Sequence, residues 1–211
     1  MKGNIKHVWF DIEGTIAPRT KEFNKEHDEL RYITYSKAVN KPLDEGLKNE
    51  YEALYKKFAS NSAVFRSLGL PSDYWQNVFG RLDETKFYSP DKNIYLTLEK
   101  LKKIVPLSLF TNFKQEMVHR SLAALQISPE WFTYIINGDD IPERKPALDG
   151  FYAMIEKSKL PPNQILYVGD RVGVDILPAK EVGMQTCLVW STSPEANYSF
   201  NNFQDILSIF Q

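Results

Sequence analysis

The hydrophobic and polar positions of this chain form two patterns that alternate through most of its length. Residues 5–10, IKHVWF, form a short apolar run of the kind that builds a buried β-strand, and the run ends at Asp11. Four more runs of this kind end near residues 110, 136, 168 and 190. Between them lie stretches with apolar residues three and four positions apart, which predict helices. This alternation predicts an α/β fold with a doubly wound, mainly parallel sheet covered by helices on both faces.

The segment between the first two predicted strands has a different pattern. Residues 18–88 show no strand-like alternation, and apolar side chains such as Leu47 and Tyr51 recur at helical spacing. We therefore expect two domains in this chain. Residues 1–17 and 89–211 would form the α/β core, and residues 18–88 would form a small all-helical domain inserted after the first strand.

Aromatic and cationic side chains of the inserted segment have separate interpretations. The aromatic residues lie at helical spacing, which indicates the packed interior of the helical domain. They are Tyr51, Tyr55, Phe58, Tyr74, Trp75 and Phe79. Arg19, Arg31 and Arg66 are interpreted as solvated surface residues, with contact to an anionic group as the alternative.

Composition and charge narrow the classes of function. The formal net charge of −1 provides no basic field for nucleic acid or for an anionic membrane surface. Cys187 is the single cysteine, which excludes an intramolecular disulfide and a cysteine-built zinc site. The N-terminal apolar run is too short for a signal peptide, and no run approaches the roughly 18 residues of a membrane span. We expect a cytoplasmic protein, monomeric or homodimeric, with no nucleic-acid or membrane partner.

Polar residues follow several of the predicted strands or stand in the adjoining loops. They are Asp11 and Glu13, Thr111 and Asn112, Lys145, and Asp170 and Asp175. Each has a structural interpretation when taken alone, such as a helix cap, a first-turn acid or a solvated lysine. The carboxyl ends of parallel strands share one edge of a sheet, where ligands bind. Together, these residues therefore predict one cleft that carries both acidic and cationic groups.

The order of these residues resembles the motifs of the haloacid dehalogenase-like (HAD) hydrolase superfamily. The motifs read DIEGT at 11–15, LFTN at 109–112, RKP at 144–146 and GDRVGVD at 169–175. In that family the corresponding motifs supply a nucleophilic Asp, a Ser or Thr, a Lys and an acidic pair. The resemblance spans the chain and implies a Rossmann-like core, with residues 18–88 in the position of the family's helical type I cap.

One position departs from the usual family pattern. Glu13 stands where the second acid of the first motif is usually Asp. DIEGT in this form resembles the enolase-phosphatases of methionine salvage. That likeness is local, because this subgroup typically has Ser where this chain has Thr111, and its acidic motif is different.

The family resemblance implies the chemistry of phosphoryl transfer to a carboxylate. We predict a phosphatase that hydrolyses a small phosphorylated metabolite through an aspartyl-phosphate on Asp11. Glu13 would protonate the leaving oxygen and then accept a proton from the attacking water. The Thr111 hydroxyl, the Asn112 backbone N–H and Lys145 would bind the phosphate oxygens.

The acidic residues predict that the enzyme uses a divalent cation. Several carboxylates beside an anionic substrate would repel it unless a hard cation lies between them, and Mg²⁺ prefers oxygen ligands of this kind. We expect Asp11, Asp170 and the backbone carbonyl of Glu13 to be direct ligands. Asp175 would contact the ion through water or would orient Lys145.

Three alternatives remain at this stage. A haloacid dehalogenase has the same fold and nucleophile but needs no metal, and Glu13 with the Asp170 and Asp175 pair argues against it. A phosphomutase shares every motif, because it differs only in the acceptor of the phosphoryl group. A non-catalytic binding module is favoured by Glu13 alone. The residues that argue for an enzyme are Asp11, Thr111, Lys145 and Asp170.

Overall fold

The structure is a computed structural model that describes residues 5–58 and 60–211, and of Glu84 only the backbone. The strands are β1 (His7–Phe10), β2 (Leu107–Phe110), β3 (Phe132–Ile136), β4 (Ile165–Gly169), β5 (Gln185–Val189) and β6 (Tyr198–Phe200). The α-helices are α1 (Lys21–Val39), α2 (Glu45–Phe58), α3 (Asn61–Ser67), α4 (Tyr74–Phe79), α5 (Lys92–Leu101), α6 (Gln115–Ala124), α7 (Asp149–Ser158) and α8 (Leu177–Glu181).

The strands form one six-stranded sheet in the order β3-β2-β1-β4-β5-β6, and every neighbouring pair is parallel. The chain therefore winds from β1 to one side through β2 and β3, and then crosses to the other side through β4. The predicted α/β class and the doubly wound sheet are confirmed. In such sheets the crevice for ligands opens where the winding reverses, which here is at the carboxyl ends of β1 and β4.

β1 lies in the interior of the sheet, between β2 and β4, and its side chains are buried on both faces of the sheet. Val8, Trp9 and Phe10 are fully buried, and His7 is 3% exposed. Phe10 is aligned with Leu109 of β2 on one side and with Val168 of β4 on the other. The residue after Phe10 therefore emerges between two neighbouring strands at the crevice.

Three elements of the C-terminal half differ from the sequence prediction. The apolar spacing over residues 174–182 predicts one helix, but the chain there forms a π-helical turn, Val172–Ile176, and the short α8. Pro178 has no backbone N–H to donate within a regular helix, which is consistent with the change of hydrogen-bonding pattern just before it. The apolar residues near the end of the sequence predict a further α-helix, but Phe203–Phe210 form a 3-10 helix. β6 was missed, because its three residues are only half-buried and form no apolar run.

The chain divides into two compact units. Met1–Pro18 and Tyr88–Gln211 form the α/β unit, and Arg19–Phe87 form the helical unit. The helical unit contains α1 to α4. Its function as a cap stays a prediction.

Aromatic side chains form the interior of the helical unit, as the sequence indicated. Tyr51 is fully buried, Trp75 is 5% exposed and Phe79 is 6% exposed. The Asp44 side chain caps α2 by accepting a hydrogen bond from the Leu47 N–H at 2.8 Å. These contacts confirm the helical pattern predicted around Tyr51.

Arg31 does not fit its interpretation as a solvated surface residue. The residue is 9% exposed, and its guanidinium forms ion pairs with Asp28 at 3.0 Å and with Glu52 at 2.7 Å. The interpretation was wrong because helical spacing cannot show which acids a neighbouring helix will supply. The positive charge of Arg31 is matched within the helical unit.

Among the described residues, no helix combines the length and the apolar composition that crossing a membrane requires.

Candidate active site

Asp11 is the first residue after β1 and lies in the middle of the candidate site. Its side chain is 2% exposed. Oδ1 accepts a hydrogen bond from the Ile12 N–H at 2.8 Å, and Oδ2 lies 3.0 Å from Lys145 Nζ. The backbone N–H of Asp11 donates to the Val168 carbonyl at 3.0 Å, which continues the pairing of β1 with β4.

A tight turn after Asp11 brings the first and last motifs together. Gly14 adopts a φ of +78° and donates its N–H to the Ala17 carbonyl at 2.8 Å. A Cβ atom at Gly14 would overlap the Asp170 carboxylate, so glycine permits both the turn and this close approach. Glu13 lies in the same turn and is half-buried.

The Lys145 ammonium group has an oxygen partner for each of its three N–H donors. Nζ lies 3.0 Å from Asp11 Oδ2 and 2.7 Å from Asp175 Oδ1, and it donates to the Tyr167 hydroxyl at 2.7 Å. The side chain is completely buried. It also lies over the rings of Phe110 and Tyr167, with Nζ 5.2 and 5.4 Å from their centroids. The predicted lysine is therefore held in one position against Asp11.

The residues after β2 position the Lys145 loop. The Asn112 side chain accepts from the Lys145 N–H at 2.8 Å and donates to the Lys145 carbonyl at 3.0 Å. Thr111 is 1% exposed, and its hydroxyl accepts from the Phe113 N–H at 3.2 Å. The structure thus gives the Asn112 side chain a positioning contact. The phosphate-binding roles of Thr111 and of the Asn112 backbone stay predictions.

Asp170 and Asp175 complete a cluster of carboxylates with Asp11. One oxygen of each lies within 4.8 Å of the others. Asp175 is fully buried, and both of its oxygens have partners: Oδ1 contacts Lys145, and Oδ2 accepts from the Arg171 N–H at 3.1 Å. Asp170 follows β4 and is more open, with its side chain 13% exposed.

The electrostatic environment affects the two buried carboxyls differently. Burial raises the pKa of Asp11; Lys145 and Arg171 lower it, Asp175 raises it further, and the net shift is upward. Burial also favours a higher pKa for Asp175, but Lys145 and Arg171 outweigh it, so the net shift is downward. Asp175 is therefore the stable anionic partner of Lys145. The charged form of Asp11 would be favoured further by an added cation.

The sequence interpretation missed two residues of this site. Tyr167 lies on β4, and besides its contact with Lys145 its hydroxyl lies 3.3 Å from the Phe110 carbonyl oxygen. The Arg171 guanidinium lies near all three carboxylates, with Nη2 3.9 Å from Asp11 Oδ2. The available signal for Tyr167 was its hydroxyl, because a hydroxyl within the apolar run ILYV at residues 165–168 needs a hydrogen-bond partner when it is buried. The signal for Arg171 was a cation inside the acidic motif.

The carboxylate cluster fits a hard divalent cation. Its donors are oxygen atoms, which Mg²⁺ prefers, and opposite ligands of a Mg²⁺ ion lie about 4.2 Å apart. The three oxygens lie within 4.8 Å of one another, slightly more than that span, so they surround a space in which one ion could be held. Among the described residues, Asp11, Asp170 and Asp175 are thus a group of acidic side chains close enough together to surround a metal ion.

The chain is similar to several known hydrolases. The sequence profile of the haloacid dehalogenase-like hydrolase family matches residues 8–189. A phosphoglycolate phosphatase of Pseudomonas fluorescens is 24% identical over 206 residues, which cover 94% of this chain and 72% of that protein. A glyceraldehyde 3-phosphate phosphatase of Methanocaldococcus jannaschii is 24% identical over an alignment of 234 residues, which covers 97% of this chain and 96% of that protein.

The solved structures show the same fold. A HAD phosphatase from Thermococcus onnurineus has a TM-score of 0.68 and 22% sequence identity, and the match covers 98% of both chains. At this level of identity the likeness shows a shared architecture and leaves the substrate open.

Proposed function

This chain belongs to the haloacid dehalogenase-like hydrolase family, and from that premise we propose a Mg²⁺-dependent phosphatase that forms an aspartyl-phosphate on Asp11. The family and the enzyme class, a hydrolase of the phosphatase type, agree with the sequence prediction and are confirmed. The single observation that carries the mechanism is the buried ion pair of Asp11 with Lys145 beside the carboxylate of Asp170.

Asp11 would be the nucleophile. A carboxylate oxygen of Asp11 attacks phosphorus, an Asp11 O–P bond forms, and the P–O bond to the leaving group breaks. Water then attacks the phosphorus of the aspartyl-phosphate and releases inorganic phosphate, which restores the carboxylate. Burial of Asp11 removes the water that would otherwise compete for its oxygens, and Lys145 favours the charged form that this attack needs.

The negative charge of the transferring phosphoryl group needs fixed positive groups. Lys145 is such a group because its ammonium is locked by three oxygen partners. The Thr111 hydroxyl and the Asn112 N–H would add neutral donors at the end of β2. The Asn112 side chain also hydrogen-bonds to both the N–H and the carbonyl of Lys145. These bonds would keep the motifs that contain Asn112 and Lys145 in a fixed relative position.

Glu13 would act as the general acid and base. It lies two residues after Asp11 in a turn held by the Gly14 N–H, so its carboxyl can face the same ligand. Its extra methylene relative to Asp lengthens its reach. Proton donation to the leaving oxygen in the first step, followed by proton acceptance from water, is the role we assign to it.

Asp11, Asp170 and the backbone carbonyl of Glu13 would hold the Mg²⁺ ion. When bound, the ion supplies positive charge that offsets repulsion between the carboxylates and the phosphate. Asp175 has both oxygens engaged by Lys145 and by the Arg171 N–H, so we assign it to the orientation of Lys145.

The substrate class follows from the relatives and is part of the proposal. The two relatives are named for phosphoglycolate and for glyceraldehyde 3-phosphate, which are phosphate esters of two and three carbons. We therefore propose a small phosphorylated metabolite as substrate. The helical unit, Arg19–Phe87, would select it as a cap; its place in the chain after β1 supports this.

The test is phosphate release from p-nitrophenyl phosphate, followed by a panel of small phosphate esters that begins with those two compounds. We expect activity with Mg²⁺ and none with EDTA, and Asp11→Asn should lower kcat/KM at least about a thousandfold. Asp149→Asn, at an exposed position of α7, is the matched control and should retain full activity. Turnover that does not depend on Asp11 would exclude the proposed mechanism. Phosphoryl transfer to a second substrate in place of water would identify a mutase.

A further inference from the structure

Arg171 is a cation within the active site to which the proposed mechanism assigns no role. Its Nη2 lies 3.9 Å from Asp11 Oδ2, and its Nε lies 3.8 Å from Asp170 Oδ1 and 3.8 Å from Asp175 Oδ2. The guanidinium therefore lies beside Asp11 and Asp170, the two carboxylates that would hold the metal, and beside Asp175, which orients Lys145.

The guanidinium is held there by charge more than by direct hydrogen bonds. Separations of 3.8 to 3.9 Å exceed hydrogen-bond length, and Nε is buried without a hydrogen-bond partner in the described part of the chain. Burial disfavours the charged form of Arg171, but Asp175, Asp170 and Asp11 outweigh it and the pKa is raised. An attraction of this kind has no fixed geometry, so another cation can replace it.

Lys145 and Arg171 differ in how firmly they are held. Lys145 is completely buried and saturated with oxygen partners, whereas the Arg171 side chain is 28% exposed. The exposed part of the Arg171 side chain therefore gives its guanidinium a path towards solvent, where water can hydrate the charge. Of these two cations, it is the one that can leave the carboxylates.

We propose that the Arg171 guanidinium competes with the divalent cation for the carboxylates of Asp11 and Asp170, and so lowers the metal affinity of the phosphate-free protein. The inference rests on the metal site of the proposed function. The three carboxylates together with the Lys145 and Arg171 cations carry a formal charge of −1. Without the Arg171 charge, the cluster attracts a divalent ion more strongly. The negative charge of a bound phosphate group would then attract the Arg171 guanidinium back to the site. Substrate binding and metal binding would therefore be coupled.

The experiment measures metal binding without substrate, so that catalysis is not the readout. Isothermal titration calorimetry with Mg²⁺, and separately with Mn²⁺, would compare the full-length wild-type chain with Arg171→Met. We expect tighter binding by Arg171→Met, on the order of tenfold. Arg171→Lys keeps the positive charge and should remain within about threefold of wild type. Arg120→Met is the matched control, because Arg120 lies on α6 and pairs with Glu116.

A second measurement protects the test against a folding defect. In thermal unfolding, Mg²⁺ should raise the midpoint of Arg171→Met by more than that of wild type, because tighter binding stabilises the native state more. Arg171→Gln replaces Arg171→Met if the latter does not fold. Equal or weaker metal affinity in the neutral variants would overturn the inference and leave the phosphatase proposal intact. An absence of metal binding in every protein, wild type included, would overturn the inference together with the Mg²⁺ dependence.

Discussion

Lys145 illustrates, at the scale of one residue, how hydrogen-bond partners offset the desolvation cost of a buried charge. Removing an ammonium group from water costs several kcal/mol unless its donors find acceptors. Asp11, Asp175 and the Tyr167 hydroxyl provide those acceptors in this protein. The motif RKP predicted Lys145, but Tyr167 lies 22 residues further along the chain, so no local pattern linked the two.

Tyr167→Phe tests whether the hydroxyl positions Lys145. One N–H of the buried ammonium would lose its acceptor, so we expect a stability loss of about 1–3 kcal/mol and a fall in kcat of about tenfold or more. Urea unfolding and steady-state kinetics with p-nitrophenyl phosphate are the measurements. Tyr152→Phe is the control, since Tyr152 is 57% exposed and should tolerate the change. Wild-type kinetics in Tyr167→Phe would show that the other two partners suffice.

At the scale of an element, the turn after β1 determines where the first acidic motif points. Hydrogen bonds from Gly14 and Ala17 close the turn, and the Trp190 indole donates to the Thr15 carbonyl at 3.0 Å from beyond β5. Trp190 itself has a φ of +65°, which is unusual for a bulky residue. The turn is thus fixed by its own backbone and by a distant side chain.

Gly14→Ala should disturb the site through this turn. Alanine at positive φ costs on the order of 1 kcal/mol, and its Cβ would also displace the Asp170 carboxylate. We expect a higher Mg²⁺ concentration for half-maximal activity in addition to the loss of stability. Gly69→Ala isolates the backbone cost, because Gly69 has a φ of +81° and, apart from its two chain neighbours, no described residue has an atom within 4 Å of the position that a Cβ would take there. If both variants need the same Mg²⁺ concentration for half-maximal activity, the close approach of Gly14 to Asp170 does not affect the metal requirement.

At the scale of the whole molecule, a histidine in the central strand makes the fold sensitive to acid. His7 is 3% exposed, and its ring nitrogen lies 2.8 Å from the Ser108 hydroxyl of β2. Burial lowers the pKa of His7 from 6.5 to about 4. The unfolded chain therefore binds a proton at His7 at a higher pH than the native protein, and this proton favours unfolding as the pH falls below 6.5.

The sign of this effect gives a measurable difference between variants. The contribution of His7 to stability is complete above pH 6.5 and is lost progressively as the pH falls towards 4, by about 2 kcal/mol at pH 5. His7→Gln cannot gain a charge, so its unfolding free energy should fall less than that of wild type between pH 7 and pH 5. His119→Gln, at an exposed position of α6, should behave like wild type. Parallel pH profiles of wild type and His7→Gln would contradict the assignment.

Local pattern along the chain determined the fold class of this protein and several residues of its site. Hydrophobic periodicity depends on residues that are close in the sequence. The α/β class, the helical segment after the first strand and the strand that precedes Asp11 could therefore be predicted from it. Motif order added the family, and it placed Asp11 and Asp170 at strand ends and Lys145 in a loop before a helix. Where periodicity was weak it failed, as for the half-buried β6 and for the π-helical turn before Pro178.

Only the tertiary structure decided which side chains contact one another at the site. Strand order and register bring β4 beside β1, and this places Tyr167 and Arg171 against residues far away in the sequence. A tyrosine in a buried run has the same hydrophobic pattern as any other apolar residue, and an arginine beside an acid resembles a solvated one. Such contacts depend on packing between residues that are distant in the sequence and on the pairing of charges in the buried interior. The spacing of residues along the chain does not show either of them.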